Sequence, residues 1–123
     1  MSDVNLIFER LQDPTFYDFM DALLEPLNIP FAAFRYINPP KTYMTYRKYE
    51  NTPDRAADDK VSFRTYYIQV DIWSKTLPSA QEKQVREYLE SYGFLSRSSF
   101  SDYEDDTSLF REGMRFEYTT NKL

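Results

Sequence analysis

The sequence predicts one α+β domain, in which a mostly antiparallel sheet of about five strands carries helices on one face. Three observations predict it. The chain has 123 residues, which suits a single domain spanning residues 1–123 with one core. Apolar residues follow helical spacing in some segments and strict alternation in others, in the order α-β-β-β-α-β-β. Aromatic residues make up 18% of the chain, a content that excludes disorder throughout.

The N-terminal segment is predicted to be helical. Apolar residues recur at helical spacing over residues 4–11 and again over 16–27. Between them, Asp13 can cap a helix and Pro14 can occupy its first position. We expect two short helices or one kinked helix.

Two strands are predicted next, over residues 31–36 and 42–50, because these segments are rich in aromatic and β-branched residues. Prolines in residues 38–41 place a turn between them. Residues 51–60 are polar, contain Pro53 and lack periodicity, so we expect an exposed loop there.

The third strand, over residues 62–73, has the clearest alternation in the chain. One side carries Tyr66, Ile68, Val70 and Ile72, which period two assigns to the core. The other side is mixed and includes Tyr67, Gln69, Asp71 and Trp73. A face of this composition is expected either to meet another subunit or to remain partly exposed to solvent.

A helix is predicted after this strand. Ser79 and Glu82 have capping-box spacing, and Gly93 suits the left-handed position at the helix end. We then expect a fourth strand over residues 94–100, an acidic loop over 101–108 and a fifth strand over 109–118. The fifth strand should point one set of apolar side chains to one face: Phe110, Met114, Phe116 and Tyr118.

Composition argues against catalysis. The chain contains no histidine and no cysteine, which removes the usual general base, the usual zinc ligands and the thiol nucleophile. With only 2 glycines, it has no phosphate-cradling loop. The net charge of −5 disfavours sequence-independent binding of nucleic acid. We expect no enzyme activity, no cofactor, no signal peptide and no membrane span.

Acidic residues are the remaining candidates for chemistry. Asp58 and Asp59, and the run over residues 102–106, could hold a hard cation, but a solvated acidic loop is the favoured interpretation. Asp71 lies within a strand, where it could serve as a metal ligand, a nuclease-like carboxylate or half of an ion pair. We favour an ion pair with Arg115 on the fifth strand.

An ordered set of short segments resembles the tail-completion proteins of long-tailed bacteriophages. Residues 67–75, YIQVDIWSK, are similar to the central signature of that group. Further similar segments keep their order along the chain: 43–49, 58–59, 92–94, 103–107 and 114–118. Two departures are evident. Phe110 and Arg111 stand where the group often has a histidine, and residues 14–19 lengthen the N-terminal region.

The resemblance implies a virion protein assembled in the host cytoplasm. Such proteins form a ring, usually a hexamer, that ends tail-tube growth and joins the tail to the head connector. Their partners are further copies, the tube protein and the connector, while genomic DNA passes through without specific binding. The subunit contact is expected at Tyr67, Gln69, Asp71, Trp73 and Arg115. The expected docking residues lie in the two loops: Pro53, Asp58, Asp59, Tyr103, Glu104, Asp105 and Asp106.

Three other functions compete with this interpretation. A head-completion protein bound to the portal is the nearest. A small acidic inhibitor that mimics DNA is the second, although a charge of −5 is mild for that role. A metal-dependent enzyme using Asp58, Asp59 and Asp71 is the third.

Overall fold

Three helices and five strands make up the part of the chain that the structure describes, residues 3–55 and 61–123 of a computed structural model. In chain order the elements are α1 (Val4–Arg10), α2 (Phe16–Leu24), a 3₁₀ turn (Glu25–Leu27), β1 (Phe31–Ala33), β2 (Thr42–Arg55), β3 (Val61–Ser74), α3 (Ser79–Ser91), β4 (Leu95–Glu104) and β5 (Leu109–Thr120). The predicted α+β class and element order are confirmed.

All five strands form one sheet in the order β1-β2-β3-β5-β4. β1 runs parallel to β2, and every other neighbouring pair is antiparallel. β3 is therefore central, with Val70 opposite Tyr46 on one side and Met114 on the other. Between Lys48 and Glu50 the register of β2 shifts at a β-bulge.

The helices cover one face of this sheet and bury the core against it. Ile68, Val70 and Ile72 of β3 are fully buried there, as the alternation predicts. From α2, Phe19 stacks on Tyr118 of β5 with ring centroids 5.5 Å apart. The same cluster includes Val85 and Leu89 from α3. The strand with the strongest alternation thus lies at the centre of the sheet.

Both β-hairpins extend further than predicted. β2 continues to Arg55, because residues 51–54 pair with β3 instead of forming a loop. Likewise, β4 continues to Glu104, so the expected loop over 101–108 shrinks to a four-residue turn, Asp105–Ser108. β1 is shorter than predicted, since Phe34 adopts a positive φ of 65° directly after it. β5 continues two residues beyond its predicted end, to Thr120.

The helix caps differ from the predicted ones at two of three positions. Thr15, not Asp13, caps α2, in a capping box with Asp18. Ser79 is already inside α3, whose N-cap is Pro78 and has no side-chain cap, and the Glu82 carboxylate instead accepts a 3.0 Å bond from Arg86. Gly93 is confirmed as the left-handed residue after α3, with φ 93°.

Candidate functional site

The sheet face opposite the helices carries every interface residue that the sequence predicts. We call it the helix-free face, because no helix of the described chain packs on it. Period two brings to this face alternate side chains of four strands. They are Tyr43, Thr45, Arg47 and Tyr49 from β2; Tyr67, Gln69, Asp71 and Trp73 from β3; Phe100 and Asp102 from β4; and Arg111, Gly113, Arg115 and Glu117 from β5.

One end of the helix-free face is a stack of aromatic rings and a guanidinium group. Trp73 stacks on Tyr43 with ring centroids 6.2 Å apart and planes 12° from parallel. The Arg111 guanidinium carbon lies 5.2 Å from the Trp73 ring centroid and 5.0 Å from that of Phe100. Cation–π attraction at such distances stabilises the stack.

Polar partners complete this end. Trp73 Nε1 donates a 3.0 Å hydrogen bond to Thr45 Oγ1, and Arg111 Nη2 lies 2.7 Å from Asp102 Oδ2. Arg111 Nε is buried without a hydrogen-bond partner in the described chain. The ring contacts and the ion pair at this end of the face therefore hold Trp73 and Arg111 in place before any partner binds.

A glycine allows the strands to carry this stack. A Cβ built on Gly113 would lie 2.3 Å from Cζ of Phe100 and 2.9 Å from Oδ1 of Asp71. Both distances are below normal contact, so any side chain at position 113 would displace the Phe100 ring. Gly113 thus leaves room for the Phe100 ring beside β5, within reach of the Arg111 guanidinium group.

At the centre of the helix-free face, the structure contradicts the expected ion pair between Asp71 and Arg115. Asp71 and Arg115 form none, because the register places Arg115 opposite Gln69 and Gly113 opposite Asp71. Gln69 links the two instead. Its Nε2 donates to both Asp71 carboxylate oxygens, at 3.1 and 3.2 Å, and its Oε1 accepts from Arg115 Nε at 3.2 Å.

Asp71 is only partly exposed, and this burial raises the pKa of its carboxyl above the usual value. The Gln69 hydrogen bond opposes the rise, as do the positive charges of Arg111, Arg47 and Arg115. Within the described residues, the Asp71 carboxylate is thus bonded to one amide and lies in the field of three guanidinium groups.

The other end of the helix-free face presents positive charge to solvent. Arg47 and Arg115 are exposed, and their guanidinium carbons lie 5.8 and 5.2 Å from the Tyr49 ring centroid. Tyr67 contacts the same ring, with centroids 6.3 Å apart. Within the described chain neither Arg47 nor Arg115 forms an ion pair. By contrast, Arg97 is paired with Glu117 at 2.8 Å.

The residues expected in docking loops are dispersed. Pro53 lies in β2, opposite Arg64, while Tyr103 and Glu104 are strand residues of β4. Asp58 and Asp59 lie outside the described residues. Only Asp105 and Asp106 occupy a turn, where both are exposed.

The turn that carries Asp105 and Asp106 is held by contacts at both sides. Lys75 Nζ donates to the Thr107 carbonyl oxygen at 2.7 Å, and Thr107 Oγ1 donates to Glu104 at 3.0 Å. Ser108 closes it with φ 56°. We call residues 105–108, which include Asp105 and Asp106, the acidic turn. The described residues contain no group of three side chains placed to hold a metal ion.

Sequence reasoning missed a large part of the helix-free face: Tyr43, Arg47, Tyr49, Phe100 and Arg111. Alternation within β2 and β5 places all of these residues except Phe100, which lies in β4, on the side opposite the core positions. The missing information was the register that sets Arg111 beside Trp73 and Arg47 beside Gln69. Once β3 is taken as central, the same alternation read in its two neighbours, β2 and β5, finds the other four.

No family model matches the chain, and no curated protein matches its sequence. In the described chain no helix has the length and apolar character required to span a bilayer. A functional interpretation therefore depends on the geometry of the helix-free face and on the resemblance of the short segments.

Proposed function

We propose that this protein is a structural protein of a long-tailed bacteriophage that assembles into a ring at the head-proximal end of the tail tube. The ring ends tube growth and joins the tail to the head connector. The order-preserving resemblance of residues 43–118 to tail-completion proteins supplies the biological setting. The helix-free face supplies the physical means of assembly.

The observation that carries the proposal is the fixed cluster around Trp73. Trp, Tyr and Arg are the residue types that dominate the binding energy of protein interfaces. Here Trp73, Tyr43 and Arg111 are held by stacking and by hydrogen bonds to Thr45 and Asp102. Docking on this face would therefore order few side chains, which lowers the entropic cost of binding.

A ring also requires two unlike surfaces on each subunit, because a head-to-tail contact joins different patches of successive copies. A sheet covered by helices on one face only provides this asymmetry. The helix-free face of one copy can meet a hairpin end of the next without using the same patch twice.

The test is assembly of the purified protein. We expect light scattering over a concentration series to show oligomers, and negative-stain electron microscopy to show rings. Trp73→Ala should weaken self-association at least about tenfold, since an aromatic anchor buried in an interface contributes about 2 kcal/mol or more. Leu6→Ala, which truncates an exposed apolar side chain in the helix layer, is the control.

A second measurement tests the biological role. Added to the polymerising tail-tube protein of the same phage, the protein should limit tube length, and Trp73→Ala should not. Circular dichroism of both variants establishes that they fold. A protein that stays monomeric at every concentration and leaves tube length unchanged would contradict the proposal. Binding to the portal in place of tubes would favour the head-completion role.

A further inference from the structure

The helix-free face and the acidic turn carry opposite charges that find no partner within the described chain. Arg47 and Arg115 both approach the Tyr49 ring, with their guanidinium carbons 5.8 and 5.2 Å from its centroid. Asp71, a carboxylate on which both of these charges act, is partly buried and bonded to Gln69. An anion arriving from solvent would therefore find two exposed guanidinium groups preset on one aromatic ring.

The acidic turn is the complementary anion that this chain itself supplies. Asp105 and Asp106 are exposed and form no ion pair in the described chain. The bond from Lys75 Nζ to the Thr107 carbonyl oxygen fixes the turn against the end of β3. Both charged groups are thus displayed on ordered backbone, which favours a specific contact over a diffuse one.

These two groups cannot meet within one copy. The acidic turn precedes Leu109, the first residue of β5, and Arg115 lies six residues further along that strand. Six strand residues span about 20 Å, and the rigid hairpin cannot fold back over that distance. Any contact between the acidic turn and Arg47 or Arg115 must therefore join two copies.

We infer that the acidic turn of one copy docks between Arg47 and Arg115 on the helix-free face of the next copy. The inference rests on the proposed self-assembly and assigns its head-to-tail contact. The two patches differ, so repetition of the contact gives a closed ring or an open filament. Nucleic acid is the less favoured occupant, because the net charge of −5 repels phosphate.

Charge reversal on each side tests the contact. Arg47→Glu/Arg115→Glu and Asp105→Lys/Asp106→Lys should each raise the dissociation constant of self-association at least about tenfold at 50 mM salt. The chain that carries all four changes should regain affinity to within about tenfold of the unchanged protein. An equimolar mixture of the two double variants should also assemble. The acidic turn of the first variant would meet Arg47 and Arg115 of the second, and the lysines of the second would meet the glutamates of the first.

Two sets of variants control for net charge and folding. Arg10→Glu/Arg35→Glu makes the same change in net charge away from the helix-free face and should leave assembly unchanged. If circular dichroism shows that Arg47→Glu/Arg115→Glu does not fold, Arg47→Gln/Arg115→Gln replaces it. The expected loss of self-association affinity is then smaller, because charge is removed and not reversed. Sedimentation velocity reports the oligomers in every case.

Each alternative outcome overturns the inference in a distinguishable way. If the unchanged protein assembles but the charge variants do so equally well, or if the fourfold variant and the mixture stay dissociated, the contact is wrong while ring assembly stands. If the unchanged protein never self-associates, the proposed function fails with it. Tight binding of a fluorescent 20-nucleotide single-stranded DNA that is lost in Arg47→Glu/Arg115→Glu would assign the face to nucleic acid.

Discussion

The two faces of the sheet bury their side chains by different means. On the helix-covered face, Ile68, Val70 and Ile72 are fully buried among apolar neighbours. On the helix-free face, Gln69 of the same strand is 7% exposed, although only other side chains of the sheet cover it. Burial there comes from ring stacking, guanidinium groups and hydrogen bonds. Equal burial therefore does not imply an equal role: the first face stabilises the fold, and the second forms an ordered polar surface.

The largest expected effect lies on the helix-covered face. Phe19 is fully buried and stacks on Phe8 and Tyr118. Phe19→Ala should lower the free energy of unfolding by about 3–5 kcal/mol, because it removes a ring and leaves a cavity. Urea denaturation measures this. Leu6→Ala, at a side chain that is 63% exposed, should change it by less than about 0.5 kcal/mol. Similar losses in the two variants would contradict the assignment of the core.

A smaller loss is expected where the helix-free face is most closely packed. Gly113→Ala forces the Phe100 ring off β5, since the new Cβ would lie 2.3 Å from Cζ. We expect a loss of about 1–3 kcal/mol in the free energy of unfolding, as for other overpacked sites. In a Phe100→Ala background the same change should be less destabilising, because the clashing ring is gone. Additive losses in the double-mutant cycle would show that the two residues do not contact each other.

Trp73→Phe isolates the contribution of one polar contact on the helix-free face. The ring stack is kept, but the bond from Nε1 to Thr45 Oγ1 is lost and a buried hydroxyl loses its donor. We expect a loss of about 1 kcal/mol in urea denaturation. In the Trp73→Phe background, Thr45→Val should recover part of the lost free energy of unfolding. In the unchanged protein, Thr45→Val should not raise the free energy of unfolding. Equal effects in both backgrounds would exclude this hydrogen bond as the cause.

The smallest expected effect concerns the charge of Asp71. Burial raises the pKa of its carboxyl in the folded protein above the usual value of 3.8, so ionisation favours unfolding as the pH rises through the folded pKa. Asp71→Asn should therefore increase the free energy of unfolding at pH 7. The gain should stay below about 1 kcal/mol, because solvent screens a partly exposed group.

The pH profile separates this explanation from a packing effect. The gain of Asp71→Asn should shrink as the pH falls and vanish well below 3.8, where Asp71 is protonated in both the folded and unfolded states. Glu117→Gln, at a carboxylate paired with Arg97, should instead be neutral or destabilising at pH 7. A gain from Asp71→Asn that persists at low pH would contradict the role of charge.

Much of the fold follows from local patterns, whereas the contacts of the site depend on register. Alternation in residues 62–73 is strong enough to separate the two faces of β3 without any knowledge of its neighbours. The ion pair between Asp71 and Arg115 was wrong because no local signal sets β5 against β3. An offset of two residues places Gln69, not Asp71, opposite Arg115.

The predictions of strand ends and helix caps were wrong for a related reason. Residues 51–54 are polar and include Pro53, which is typical of a loop, yet pairing with β3 holds them in a strand. At α3, Ser79 and Glu82 have the spacing of a capping box, but the Glu82 carboxylate binds Arg86 instead. Long-range pairing and side-chain competition decide these positions, and neither is visible in a short window of sequence.

The outer edge of β2 limits how copies of this chain can associate. β1 pairs with only Met44–Tyr46, which leaves the following part of that edge without a neighbouring strand in the described chain. Exposed edges of this kind can recruit strands from other molecules and start fibrous aggregates. The bulge near Tyr49 and the missing N–H of Pro53 interrupt the hydrogen bonds that an added strand would need. These two features disfavour repeated addition of strands at this edge. Copies of the chain can still associate through their side chains.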